Sequence, residues 1–261
     1  MIDDKAVVKS TYFANWGDIY GFPLARKLLP FVIKIKFLTP NVITILAFIL
    51  YALGSIFLFI EFPYHLIFSA ILLPLGFLLD DLDGQVARAR KLSSKIGDYL
   101  DKTLDVLKIY LVTVSLSVAA YQKTEELVYI FLGFTACFFF IYRFYIKYAV
   151  MFNRMESDEN YLDKSTKIKD ELTNKIYNQY QKLSQTLPGK FLLFWHRHKL
   201  IFFVDEAEFA LFAAFFALID RVELALWILA VSQVIIAVYR FFQRGYQLSS
   251  DEKELLLPLR K

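Results

Sequence analysis

Val42-Ile43-Thr44-Ile45-Leu46-Ala47-Phe48-Ile49-Leu50-Tyr51-Ala52-Leu53-Gly54-Ser55-Ile56-Phe57-Leu58-Phe59-Ile60 carries no charged side chain. A helix crossing the hydrocarbon core of a bilayer needs about 20 mostly apolar residues at roughly 1.5 Å rise each, and this stretch meets that need. Outward from it, residues 62–79 hold only His65, and residues 127–142 and 224–239 are uncharged. Two shorter runs, 109–121 and 209–219, have charged N-terminal approaches: Asp98, Asp101, Lys102, Asp105 and Lys108 before the first, Asp205, Glu206 and Glu208 before the second. Charges that enter a membrane face the protein interior or a wet cavity. The expected fold is therefore an all-α polytopic membrane protein of six transmembrane helices with an N-terminal juxtamembrane amphipathic helix.

Composition agrees. Of 261 residues, 57% are hydrophobic and 21% charged, with 27 Phe and 16 Tyr. That exceeds the roughly 45–50% apolar content of soluble chains, and it excludes disordered and disulfide-scaffold classes. The lone Cys137 has no partner for an internal bridge. A net charge of +4 is too small and dispersed to suggest nucleic acid.

Basic residues sort the loops. Arg26, Lys27, Lys34 and Lys36 precede the first span; Arg88, Arg90, Lys91 and Lys95 follow the second; Arg143, Lys147 and Arg154 follow the fourth; Arg240 and Arg244 follow the sixth. The opposite loops hold only Lys123 and Arg221. The positive-inside rule then puts both termini in the cytoplasm. Met1-Ile2-Asp3-Asp4-Lys5 lacks the features of a cleavable signal peptide. Residues 17–37, basic and apolar but interrupted by Pro23 and Pro30, suit the membrane surface. Residues 158–187 repeat apolar positions every three or four residues, as an amphipathic cytoplasmic helix does. The expected organisation is a cytoplasmic N-terminus with the juxtamembrane helix (1–40), a transmembrane catalytic domain (41–243) with a cytoplasmic insert (151–199), and a cytoplasmic tail (244–261).

Chemistry gathers where the second span ends: Asp80-Asp81-Leu82-Asp83-Gly84-Gln85-Val86-Ala87-Arg88, a polar turn at Ser93-Ser94, then Gly97-Asp98-Tyr99-Leu100-Asp101-Lys102-Thr103-Leu104-Asp105. At about 100° per residue, positions 80, 83, 84, 87 and 88 share one helix face, as do 97, 101 and 105. Two antiparallel helices can thus aim Asp80, Asp83, Asp101 and Asp105 at one another. Four converging carboxylates repel unless a cation sits among them. Hard divalent ions with oxygen ligands satisfy that need: Mg²⁺ above all, with Mn²⁺ as the second choice, and two ions can share four carboxylates. Gly84, Ala87 and Gly97 keep the face low, and Arg88 offers a planar fork suited to phosphate. Asp81 and Asp98 read as solvated bystanders.

The pattern Asp80-x-x-Asp83-Gly84-x-x-Ala87-Arg88, eight residues, Gly97-x-x-x-Asp101-x-x-x-Asp105 resembles, without a gap, the signature of the CDP-alcohol phosphotransferase family. Chance agreement at eight fixed positions is on the order of 10⁻¹⁰ per start point at average residue frequencies. Thr39-Pro40-Asn41 likewise resembles the run that opens the first span of many members. The resemblance is clear over residues 17–150. It implies transfer of a phosphate-bearing group from a CDP-linked donor to an alcohol with release of CMP, at the cytoplasmic face, the partners being either a CDP-linked lipid donor and a small alcohol acceptor or a CDP-amino-alcohol and a lipid alcohol. It also implies Asp80, Asp83 and Asp101 on one divalent ion, Asp105 on a second and as general base, and Gly84, Ala87, Arg88 and Gly97 around the CDP moiety. Family members also form homodimers, and the aromatic faces of the last three spans suit such pairing.

The acceptor is less legible. Arg143, Lys147 and Arg154 suit a phosphate, whereas Asp205, Glu206 and Glu208 suit an amine or a neutral polyol. The reading favours CDP-diacylglycerol as donor, with a CDP-amino-alcohol acting on a lipid alcohol as the alternative. A prenyltransferase wants a second aspartate-rich motif, a transporter wants midplane charges on several helices, and a non-catalytic relative does not need an intact Asp105.

Overall fold

A computed structural model describes residues 21–161, 163, 186, 204 and 206–249. Among these residues the chain forms seven helices and no strand: α1 (Phe22–Val32), α2 (Pro40–Phe59), α3 (His65–Ala89), α4 (Lys95–Thr124), α5 (Val128–Ser157), α6 (Glu206–Leu218) and α7 (Val222–Ser249). The amphipathic segment expected over 158–187 lies almost wholly outside the described residues, as do Asp205, residues 1–20 and residues 250–261.

Five helices, α2 to α5 and α7, are long and apolar enough to cross a membrane, as an integral membrane protein requires. The sixth expected span falls in α6, which has 13 residues. At about 1.5 Å per residue it is roughly 20 Å long, short of a hydrocarbon core of about 30 Å. The final helix continues to Ser249 without a break at residue 244.

Local chemistry sets the ends. Thr39 caps α2, its hydroxyl accepting from Val42 N at 3.4 Å, and Pro40 opens the first turn, where a missing N–H costs nothing. Ser94 caps α4 by accepting from Gly97 N at 3.0 Å. Tyr64, Lys91, Glu125 and Asp220 adopt positive φ at the reversals between helices. His65 holds the α2–α3 reversal through Nδ1, 2.9 Å from Phe57 O.

Transmembrane helices associate through close packing and small residues rather than through the hydrophobic effect. Here α2 and α3 meet at Gly54 and Gly76: a Cβ on Gly54 would lie 2.9 Å from Leu73, and one on Gly76 2.9 Å from the Tyr51 ring. Helices α4 and α5 meet still more closely, since a Cβ on Gly133 would lie 1.7 Å from Ser117 Oγ. On α6, Ala210, Ala213, Ala214 and Ala217 are buried and belong to one core with residues of α2, α3, α4, α5 and α7. At the end of α4, Lys123 pairs with Asp220 (3.0 Å) and Glu223 (3.7 Å), and Arg221 pairs with Glu223 (3.4 Å). The two basic residues of that side are therefore neutralised locally.

A second core joins α1 to the helices that carry the carboxylates: Ala25, Leu29, Ile43, Leu82 and Val86. Gly21 lets the start of α1 approach α3, because a Cβ there would lie 2.3 Å from Asp81 Oδ2. The Gln85 side chain donates to Phe22 O at 3.1 Å. The Arg90 guanidinium, at the end of α3, donates to the carbonyls of Leu38 (2.7 Å), Val32 (3.1 Å), Ile33 (2.9 Å) and Ile35 (2.9 Å). Carbonyls at and beyond the C-terminal end of α1 thus find a donor on α3.

Candidate active site

Asp80 and Asp83 stand in the C-terminal half of α3, and Asp101 and Asp105 in the N-terminal half of α4. The turn between the helices, with Lys91 in the left-handed region and Ser94 as cap, folds α4 back along α3. One carboxylate oxygen from each of Asp80, Asp101 and Asp105 then lies within 4.8 Å of the other two. Asp105 is buried, whereas Asp80 and Asp101 are half-buried. Three hard oxygen donors at that separation fit a divalent cation.

The fourth aspartate differs from expectation in its aim. Asp83 is buried and accepts a hydrogen bond from Thr44 of α2. Three residues advance a helix by about 300°, so position 83 is rotated by about 60° from position 80. That rotation turns it toward α2, while it stays within electrostatic reach of Asp80 and Asp101. Asp83 therefore flanks the cluster.

Lys108, which the sequence reading placed only among the charges entering a span, reaches into the cluster. Its side chain is fully buried, and Nζ pairs with Asp80 and, at 3.0 Å, with Asp105 Oδ1. The ammonium also lies 5.4 Å from the centroid of the Tyr51 ring. The available signal was spacing: position 108 is three residues beyond 105 and shares its face.

The low face is present. A Cβ on Gly84 would meet only the flexible Arg88 guanidinium, at 3.3 Å, and one on Gly97 would meet Asn41 Oδ1 and Ser94 Oγ, each at 3.2 Å. Neither glycine is demanded by tight backbone packing. Ala87 and Arg88 are half-buried on the same stretch of α3. Arg88 Nε is buried with no hydrogen-bond partner among the described residues. A buried unsatisfied guanidinium N–H costs free energy, and an anion beside it removes that cost. Asp98, by contrast, pairs with Lys102 at the surface, as a bystander does.

The residues considered for the acceptor divide. Arg143 of α5 donates to Gln233 Oε1 (2.7 Å) of α7 and to Val204 O (3.1 Å), and Gln233 Nε2 donates to Val204 O at 2.8 Å. Arg143 thus ties the chain before α6 to α5 and α7. Lys147 lies over the rings of Phe144 and Tyr148 at 5.5 and 5.4 Å. Glu208 is fully buried; Asp205 and the side chain of Glu206 lie outside the described residues. Arg154 lies within electrostatic reach of Tyr161, as does Arg244, and Arg244 in turn is within reach of Arg240; the last two were read in the sequence only as orienting charges. Burial pushes the Tyr161 phenol up, which keeps it neutral.

Comparison with known proteins bears on this geometry. The family model described as CDP-alcohol phosphatidyltransferase matches residues 37–172, just over half of the chain. An archaetidylinositol phosphate synthase of Pyrococcus horikoshii is 40% identical over 70 residues, 27% of this chain and 36% of the relative. A bifunctional IPC transferase and DIPP synthase of Thermococcus kodakarensis is 32% identical over 98 residues, 38% of this chain and 21% of the relative. An uncharacterised protein of Aquifex aeolicus is 43% identical over 67 residues, 26% of this chain and 33% of the relative. The chain therefore aligns with about a third or less of each of these curated relatives. With α2, α3, α4 and α5 all inside the matched region, and with them every aspartate of the cluster, the chain belongs to the CDP-alcohol phosphatidyltransferase family.

Proposed function

We propose that this protein is a membrane transferase of phospholipid synthesis that moves a phosphatidyl-type group from a CDP-linked lipid, CDP-diacylglycerol in its commonest form, to a small alcohol. The observation that carries the reading is the meeting of Asp80, Asp101 and Asp105 oxygens within 4.8 Å, in a chain that belongs to this family.

Asp80, Asp83 and Asp101 hold one divalent ion in this reading, and Asp105 joins Asp80 and Asp101 on a second. Mg²⁺ bound there supplies Lewis-acid neutralisation of the pyrophosphate and of the departing CMP. The chain's own residues do the rest. Gly84, Ala87 and Gly97 leave room for the nucleotide, and Arg88 directs its unsatisfied N–H toward phosphate. Asp105, buried and held on one oxygen by Lys108, accepts the proton of the acceptor hydroxyl. The new bond forms between that oxygen and the phosphorus distal to cytidine. The pyrophosphate P–O bond breaks, and CMP leaves with the electron pair.

The acceptor in this reading is a phosphorylated polyol. It rests on Arg154 and Arg244 beside Tyr161, with Arg240 within electrostatic reach of Arg244, on Arg143 and Lys147 along α5, and on the printed name of the Pyrococcus relative. Asp205, Glu206 and Glu208 support the second reading, an amino alcohol or a neutral polyol. The cluster faces the cytoplasm in both, with both termini on that side, and two copies pair through aromatic faces of α5 and α7.

The test incubates membranes containing the full chain with labelled CDP-diacylglycerol, Mg²⁺ and a panel of acceptors led by an inositol phosphate. CMP release should require an acceptor and fall by at least a hundredfold in Asp105→Asn. Release that survives both Asp105→Asn and chelation by EDTA would sink the assigned chemistry.

A further inference from the structure

Lys108 stands at the junction of three helices: it springs from α4, crosses to Asp80 on α3, and lies beside Tyr51 of α2. Its side chain has no exposure to solvent. A lysine this deeply buried is rare and is retained where it is paired. Both of its carboxylate partners belong to the set whose oxygens converge within 4.8 Å. The ammonium spans from α4 to α3, so it fixes the rotation of two carboxylates on two different helices.

Each carboxylate has two oxygens and accepts from several donors at once. Lys108 reaches one oxygen on each partner, Asp80 Oδ1 and Asp105 Oδ1. The second oxygens are left to meet a cation or a substrate hydroxyl. The fixed positive charge also opposes a divalent ion in the same cluster, because like charges at a few ångströms repel strongly where water is scarce.

We propose that Lys108 is a positioning residue that clamps Asp80 and Asp105 across the α3–α4 pair and competes, as a tethered cation, with the divalent ion for their oxygens. Two opposed consequences follow when it is removed. The site binds metal more tightly, because the competing charge is gone. It works more slowly, because Asp105 is no longer held toward the acceptor. A lysine that only supported the fold would give neither combination. This inference rests on the metal-assisted transferase reading above.

The experiment uses the purified full chain in detergent micelles. Mn²⁺ binding is followed by the loss of the free-ion EPR signal, with no substrate present, for the wild type and for Lys108→Met, Lys108→Arg and Asp101→Asn. CMP release is measured on the same preparations. Lys108→Met should bind Mn²⁺ at least threefold more tightly and lose at least tenfold in kcat, with KM for the CDP-lipid within about threefold of wild type. Lys108→Arg keeps the charge and should leave the Mn²⁺ Kd within twofold of wild type while restoring part of kcat. An unchanged or weaker Mn²⁺ Kd in Lys108→Met, or an unchanged kcat, overturns the proposal. If Lys108→Met does not give a monodisperse protein, Lys108→Arg decides alone: a Mn²⁺ Kd shifted more than threefold from wild type overturns it. If Asp101→Asn leaves Mn²⁺ binding intact, the metal-site reading itself has failed, and that result is distinct from a failure confined to Lys108.

Discussion

Thr44 donates its hydroxyl to Asp83 across the α2–α3 contact, while the same oxygen lies 3.0 Å from Pro40 O in its own helix. The run that opens the first span is thereby connected to the second aspartate of the signature. A hydrogen bond to a charged group contributes about 1.5–3 kcal/mol, so losing it frees Asp83 from the orientation it holds beside Asp80 and Asp101. Thr44→Val keeps the shape and removes the donor. It should raise the Mg²⁺ concentration for half-maximal CMP release by roughly tenfold, and Thr44→Ser should restore it. An unchanged Mg²⁺ titration in Thr44→Val would remove the orienting role.

The glycines separate packing from ligand space. Gly133→Ala forces a Cβ into Ser117, and overpacking of this kind costs about 1–3 kcal/mol. It should lower the thermal midpoint in detergent. Gly245→Ala meets nothing within 4 Å and should be neutral or slightly stabilising, since alanine is the better helix former. Gly84→Ala meets only a flexible guanidinium, so its midpoint should stay within about 2 °C of wild type. Its KM for the CDP-lipid should nevertheless rise at least tenfold. A Gly84→Ala protein with normal kinetics would place the nucleotide elsewhere.

Arg90 donates to four carbonyls between Val32 and Leu38. Arg90→Met removes all four donations, a loss of about 2–4 kcal/mol at the low net value of each. The thermal midpoint should fall by roughly 5–10 °C, and limited proteolysis should open the chain between residues 33 and 38. Arg90→Lys, with a compact head in place of the fork, should fall between the two. A proteolysis pattern identical to wild type would contradict the anchoring role.

A cation bound among the aspartates should stabilise the folded protein by mass action, about 2.7 kcal/mol at a hundred times its dissociation constant. Mg²⁺ should therefore raise the midpoint of the wild type and not that of Asp101→Asn, with EDTA reversing the rise. Equal shifts in both proteins would show that the ion acts elsewhere.

Much of this arrangement was legible in the sequence. Uncharged runs identified the long helices because backbone polar groups inside a bilayer leave few alternatives. The spacing of 97, 101 and 105 placed two aspartates on one face, and the Ser93-Ser94 turn placed the other helix opposite. The aim of Asp83 was not legible, because helix spacing gives rotation about an axis and not which neighbour lies there. Thr44 supplied that neighbour from another helix. Lys108 was overlooked for a related reason: a charge near a membrane boundary reads as solvated until a partner 28 residues away is known to face it. The shortness of α6 also escaped the pattern, since an apolar run of alanines and phenylalanines reads alike whether it crosses the bilayer or only part of it.

Through Gln85 and Arg90, the end of α3 is fastened to the start of α1 and to the turn that follows it. These ties lie within a few residues of Asp83, so a movement of α1 is passed directly to the stretch of α3 that carries the carboxylates.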